Sequence, residues 1–343
     1  MRAVTIEPRR PGSLRLEEVE EAPGPAIRVR TLAIGVCGTD RELVAGEYGE
    51  APRGRDRLVL GHESLGRVIE APRESGLQTG DLVAGIVRHP DPVPCANCAL
   101  GEPDMCRNGG YTERGIKQLD GFGAERWAAD AGFVVKVSPV LGLAGVLLEP
   151  ASVLAKAWEH IERIGLRSRW APRRVLVTGA GPVGLMAAMM GVQRGLEVHV
   201  LDRNEEGPKP ALVRDLGAGY HLKFPAFEPD IVIEATGAPG VIAQAVAGSA
   251  PGGIVCLTGL GGAAHAASFD VAALNQTMVL ENRVVFGTVN ANRRHYEEAA
   301  LALERAERGW LERLITRTVP LGRWHEAYEK RPHDVKTVLT FED

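Results

Sequence analysis

The sequence predicts an α/β protein with a β-rich unit and a second unit built on a doubly wound parallel sheet. The first 150 residues break into short runs such as "SLGRVIEAP", "GDLVAGIV" and "FVVKVSP", alternating or β-branched and bounded by Gly and Pro, as strands and turns are. From residue 173 the rhythm changes to strand, turn, apolar helix, strand: "RRVLVTGAGPVGLMAAMMGVQRGLEVHVLDRN". Further strand-like runs, "DIVIEATG", "GGIVCLTG" and "RVVFGTVN", follow with helix-like stretches between them, the pattern of a parallel sheet covered on both faces.

At 343 residues the chain is long enough for two cores. "SVLAKAWEHIERIG" has helical spacing, with Ser152 as its expected N-cap after Pro150. "RHYEEAALALERAERGWLERLI" reads as one amphipathic helix and "VKTVLTFE" as a last strand of the β-rich kind, so the chain is expected to return to its first domain. The domains are therefore placed at 1–155 with 293–343, and at 156–292.

Forty-five per cent hydrophobic and 24% charged residues describe a globular chain. Its net charge of −4 offers no basic stripe for nucleic acid. No apolar run long enough to span a bilayer and no signal peptide is read, so no membrane partner and a cytoplasmic location are expected. In a reducing compartment the five cysteines are thiols or metal ligands before they are disulfides. Cys256, inside "GGIVCLTG", reads as a small buried hydrophobe.

Gly179-Ala180-Gly181-Pro182-Val183-Gly184 fits G-x-G-x-x-G after a strand and before a helix starting near Val183. Gly179 serves the turn, Gly181 lets a pyrophosphate approach, and Gly184 lets helix pack on strand. The phosphates would lie on the free amides of the helix N-terminus, and Asp202, 18 residues after Gly184, would accept from ribose hydroxyls. Thr236 and Gly237, closing "DIVIEATG", are assigned to the same cofactor. Asp202 repels a 2′-phosphate and Arg203 attracts one; the reading leans to NAD and keeps NADP open.

Catalytic zinc takes three protein ligands from Cys, His and carboxylate and leaves a position open. Cys37 in "GVCGTD" and His62 with Glu63 in "GHES" are such a set. These words, with "CGTDRE", "GEPDMC", "YTERG", "LEPASV", "GAGPVGL" and "GTVN" in order, resemble the zinc-dependent medium-chain dehydrogenases, the alcohol dehydrogenase superfamily, in its glucose (aldose) 1-dehydrogenase branch. The resemblance covers nearly the whole chain and implies a GroES-like catalytic domain beside a Rossmann domain.

It also implies roles. Cys37 and His62 match zinc ligands, with Glu63 and Glu149 as acidic or water-mediated ones. Asp40 matches the carboxylate that orients His62, and Thr39 the hydroxyl that passes the substrate proton outward. Glu113 and Asn290 match residues that bind sugar hydroxyls, and Asn290 is assigned to the cofactor as well. Cys95-x2-Cys98-x7-Cys106 matches three of four cysteines of a separate zinc lobe; the first falls on Pro92, and Asp91 or Asp104 could complete the tetrahedron.

The implied reaction is zinc-dependent oxidation of an aldose, glucose first, at C1 to the aldonolactone, with hydride transfer to NAD(P) in a cleft between domains. A dimer or tetramer is implied too. Two departures bear on the sugar: Glu281-Asn282-Arg283 stands where a histidine is expected, and Val153 where some relatives carry an acid. Another zinc-dependent alcohol, polyol or threonine dehydrogenase is the nearest rival, and a non-catalytic nucleotide sensor the rival from another class. A zinc-free quinone-reductase-like protein would lack the Cys37/His62 pair.

Overall fold

The computed structural model describes residues 1–21, 27–261 and 270–341. The chain divides into two compact units, Met1–Ser152 with Asn290–Asp343, and Val153–Val289.

Among the described residues the first unit carries a seven-stranded sheet whose centre is the long strand Ile27–Val36. That strand pairs antiparallel with Glu63–Glu70 on one side and with Lys336–Thr340 on the other, so the end of the chain is built into the sheet that the beginning lays down. Residues of these strands pack with side chains from neighbouring segments into two cores, one around Val36, Leu43, Leu58 and Leu339, the other around Val29, Ile34, Phe122 and Trp127. Full burial of one such aliphatic side chain stabilises by about 1.5–3 kcal/mol.

The second unit is a six-stranded, all-parallel sheet. Its spatial order runs Gly219–His221, Glu197–Leu201, Arg174–Thr178, Ile231–Glu234, Ile254–Leu257, Val284–Gly287. The order reverses between Arg174–Thr178 and Ile231–Glu234, the place where such sheets open a crevice at their carboxyl ends. Helix Pro182–Gln193 is buried continuously from Gly184 to Gly191, which is why its sequence is apolar all round. Cys256 is fully buried, and burial pushes its thiol up to about 12.

Three expectations change. The helix containing "SVLAKAWEHIERIG" begins at Leu148, so Ser152 lies inside it and donates from Oγ to Glu149 O (2.6 Å) instead of capping. Pro150 is tolerated there because the first-turn amides have no intrahelical acceptor to lose. The expected single helix after 293 is two, Arg293–Arg305 and Arg308–Leu314. Glu307 makes the break by capping the second, its carboxylate accepting from the amides of Gly309 and Trp310. Last, Pro139–Gly165 forms one continuous run apolar enough by length to cross a membrane, yet its apolar window is 78% buried inside the protein, as a core helix is.

Candidate active site

Strand Ile27–Val36 delivers Cys37 to the head of helix Gly38–Ala45, and the third helical residue, Asp40, turns back on it. Asp40 Oδ2 accepts from Cys37 N–H at 2.9 Å, while Oδ1 lies 3.3 Å from His62 Nδ1. His62 Nε2 in turn lies 3.1 Å from Cys37 Sγ. Asp40 is 1% exposed and His62 5%. Facing Asp40, Nδ1 keeps its proton, which would leave the Nε2 lone pair for a metal ion, the tautomer metal binding requires.

Burial would lower the pKa of His62, but Asp40 and Cys37 outweigh it and hold it well above its ordinary value. Asp40 is held below its own, because His62 overcomes the cost of burial. Burial raises the Cys37 thiol.

His62, Glu63 and Glu149 bring ligand atoms within 4.8 Å of one another, as do Cys37, Asp40 and His62. Glu149 is the second residue of helix Leu148–Gly165; burial, eased by His62 and reinforced by Glu63, pushes it up to about 7. Glu63 is ion-paired with Lys336 from the last long strand, and both side chains are 3% exposed or less. Gly35 makes room for the pair: a Cβ there would meet Glu63 Oε2 at 2.0 Å. Thr39 lies beside the half-buried Tyr48, whose phenol is raised by burial. Lys336 and Tyr48 escaped the sequence reading because nothing in "DVKT" or "GEYG" marks a long-range partner.

Beside this cluster, Arg88 and Glu113 sit directly opposite each other on antiparallel strands. Glu113 Oε1 accepts from Arg88 Nε (3.0 Å), Arg88 Nη2 (2.9 Å) and Asn290 Nδ2 (2.8 Å). Asn290 is buried with φ of 60°, a conformation Asn tolerates better than most residues, and its Oδ1 accepts from Ala291 N–H. The structure thus joins the two expected sugar residues to each other, within the first unit.

Cys95, Cys98 and Cys106 also come together within 4.8 Å. The amide of Arg107, 3.4 Å from Cys95 Sγ, with those of the following turn, lowers that thiol to about 6, whereas burial lifts Cys98 to about 11. Neither carboxylate proposed as a fourth ligand joins them: Asp91 Oδ1 accepts from Val93 N–H, and Asp104 Oδ1 from Asn292 Nδ2.

In the second unit Gly179 turns with φ of 93° at the end of its strand, Gly181 caps the helix, and Pro182 opens it one residue before the expected Val183. Asp202 is already engaged. Its Oδ2 accepts from Ala180 N–H (2.7 Å) and faces Lys209 Nζ (3.1 Å), and Oδ1 accepts from Asn204 N–H. Thr236 and Gly237 are organised by Glu234, a fully buried carboxylate that accepts from Thr178 Oγ1, Thr236 N–H and Gly237 N–H. Glu234 was missed, since an acid inside an apolar strand gives no sign of which donors surround it. Arg283 reaches the carbonyls of Val246 and Ala247, so the departure at 281–283 braces a helix end.

The comparisons agree with this geometry. Residues 23–139 match the alcohol dehydrogenase GroES-like domain, and residues 142–341 the glucose dehydrogenase C-terminus. The glucose 1-dehydrogenase of Thermoproteus tenax is 41% identical and that of Methanocella arvoryzae 39%, each alignment covering 99% of both chains. The structure of Haloferax mediterranei glucose dehydrogenase in complex with NADP, Zn and gluconolactone is 30% identical, covers 100% of both chains and superposes with a TM-score of 0.92. A GroES-like unit with a Rossmann sheet, a Cys-His-carboxylate cluster and full-length likeness to these enzymes place the chain in the glucose 1-dehydrogenase branch of the zinc-dependent alcohol dehydrogenase superfamily.

Proposed function

We propose that this protein oxidises glucose at C1 to gluconolactone with hydride transfer to NADP or NAD. The observation that carries the proposal is the buried Cys37–His62–Asp40 triangle: a thiol and an imidazole nitrogen 3.1 Å apart, with the imidazole oriented from behind. A thiol, an imidazole and two carboxylates in one buried pocket suit zinc, because only a cation offsets so much negative character there. Cys37, His62 and Glu149 would hold the ion, with Glu63 beside them. When bound, zinc lowers the pKa of the sugar hydroxyl as a Lewis acid and the nicotinamide takes the hydride.

The chain's own groups do the rest. Asp40 keeps His62 in one tautomer and one orientation. Thr39, beside Tyr48, receives the hydroxyl proton and passes it outward. Glu113 accepts from sugar hydroxyls. The amides at the head of helix Pro182–Gln193 would hold the pyrophosphate, and Asp202 would accept from a ribose hydroxyl. With Lys209 already against Asp202 and Arg203 next to it, the acid does not bar a 2′-phosphate, which favours use of NADP as well as the expected NAD.

A second zinc on Cys95, Cys98 and Cys106 is part of the proposal. So is self-association through the edge strand Val284–Gly287 and helix Val271–Leu280, where Val271, Val279 and Leu280 are each at least 66% exposed. The test is steady-state oxidation of aldoses and simple alcohols with NAD and NADP, with metal content and molar mass in solution. Glucose turnover, two zinc per chain and a dimer or larger are expected. Faster oxidation of simple alcohols than of aldoses would refute the substrate assignment.

A further inference from the structure

We propose that Arg88 is a positioning residue for substrate recognition, fixing Glu113 so that one carboxylate oxygen is committed to the protein and the other is kept for sugar hydroxyls. The inference rests on the aldose oxidation proposed above and adds a residue to it.

The two oxygens of Glu113 are treated very differently. Oε1 carries three donors, two from Arg88 and one from Asn290. Among the described residues no hydrogen bond reaches Oε2, although Glu113 as a whole is only 8% exposed, and Oε2 is not among the sealed polar atoms. It is an open acceptor on an otherwise immobilised carboxylate. A buried carboxylate with a free oxygen is costly unless something outside the protein completes it.

Arg88 commits three of its five N–H groups, at least one from every guanidinium nitrogen, to acceptors within the protein. Its Nε and Nη2 go to Glu113, its Nη1 donates to Asp104 O at 3.2 Å, and its guanidinium lies 3.9 Å from the centre of the Tyr111 ring. Each guanidinium nitrogen has an acceptor, and one face of the plane is covered. Arg88 therefore acts through Glu113, and the stacking and the carbonyl contact fix the fork that holds Oε1.

The position of the pair fits the role. The amide of Val87, one residue earlier, donates to Tyr296 Oη at 3.4 Å, and that buried phenol feels the charges of Glu149 and Glu63. On the facing strand, Gly115 packs against the backbone of Gly61, next to His62. An acceptor fixed here, a few residues from the metal cluster, can hold a hydroxyl distant from C1 while C1 is presented to the reacting groups.

Fixing one acceptor lowers the ordering cost of binding and sharpens discrimination among sugars that differ in a single hydroxyl. Lys in place of Arg would keep the charge but lose the bidentate hold.

The test uses the zinc-loaded enzyme and its Arg88→Met, Arg88→Lys and Glu113→Gln variants, with glucose and its 2-, 3-, 4- and 6-deoxy analogues. Wild type is expected to show a KM about tenfold or more higher for the deoxy sugar lacking the hydroxyl held by Glu113. Arg88→Met should raise the glucose KM by a similar factor and leave kcat within about threefold. It should also shrink the deoxy penalty as Glu113→Gln does, while Arg88→Lys restores part of it. The double variant should be little worse than Glu113→Gln, since both act on one contact. Dissociation of NADP and metal content should not move.

Arg88→Met with wild-type glucose KM and an intact deoxy penalty would overturn the inference alone. So would effects that add fully to those of Glu113→Gln, which mark a scaffold role only. A wild type that oxidises no aldose would instead overturn the function on which the inference rests.

Discussion

Replacing Lys336 by Met should destabilise the metal-free protein far more than the zinc-loaded one. Lys336 and Glu63 form an ion pair with side chains 1% and 3% exposed, and no water layer can take over when the ammonium is removed. Deleting one partner of a buried pair costs about 3–5 kcal/mol, because the other charge stays buried without compensation. Glu149 and Asp40 lie in the same field and are both eased by Lys336, so their charges become dearer as well. For a unit of this size the loss corresponds to a fall in melting temperature of about 6–20 °C. Zinc would supply the missing positive charge to the same carboxylates, so the loaded variant should lose less than half as much. By reciprocity the variant should then bind zinc about tenfold or more tightly. Differential scanning calorimetry of chelator-treated and zinc-loaded protein, with competitive zinc titration, measures both. Equal falls in the two forms, or a fall under about 2 °C without metal, would refute the idea that Lys336 is the counter-charge of this anionic pocket.

The glycine loop offers a paired test: a Cβ on Gly184 would meet Gly179 O at 1.8 Å, whereas one on Gly181 meets nothing within 4 Å. Gly184→Ala should therefore lower the melting temperature, and Gly181→Ala should leave it unchanged while weakening NADP binding at least tenfold by titration, because the methyl fills the approach to the pyrophosphate. His89, stacked on Phe133 with ring centres 3.8 Å apart, is pulled down to about 3 by burial and by Arg114. Below pH 6.5 the unfolded chain takes up a proton that the folded one refuses, so stability falls on acidification between about pH 6.5 and 3, by about 1.4 kcal/mol per pH unit. In urea unfolding between pH 6.5 and 4.5, His89→Phe should flatten that slope; parallel slopes would count against the buried neutral imidazole.

The readable parts of this protein are those where function is tied to a short, local geometry. A nucleotide loop needs three glycines at fixed spacing between a strand and a helix, and the zinc ligands sit in turns with small fixed words around them. Cys37 and His62 were legible for that reason, whereas Asp40, Glu113 and Asn290 were named only through the family resemblance, and the bond between Glu113 and Asn290 came from the structure. What failed locally failed for local energetic reasons. The helix expected over 294–315 has continuous amphipathic spacing, yet a single Glu307 carboxylate capping two amides outweighs one turn of helix. Ser152 looks like a cap and is a back-bonded interior residue, because the helix already begins at Leu148.

Composition, periodicity and motif spacing, by themselves, determined the two-unit α/β architecture and the dinucleotide loop and singled out Cys37, His62 and Glu63 as candidate zinc ligands, to which the family resemblance added Glu149. Only the tertiary structure decided how those groups are held. It set Lys336 from the last long strand against Glu63, Arg88 across from Glu113, and Lys209 against Asp202. Each is a basic side chain whose sequence neighbours say nothing about its partner. A local motif is written by steric rules over a few residues, whereas the counter-charge of a buried carboxylate is whichever cation the packing of the whole unit brings within reach.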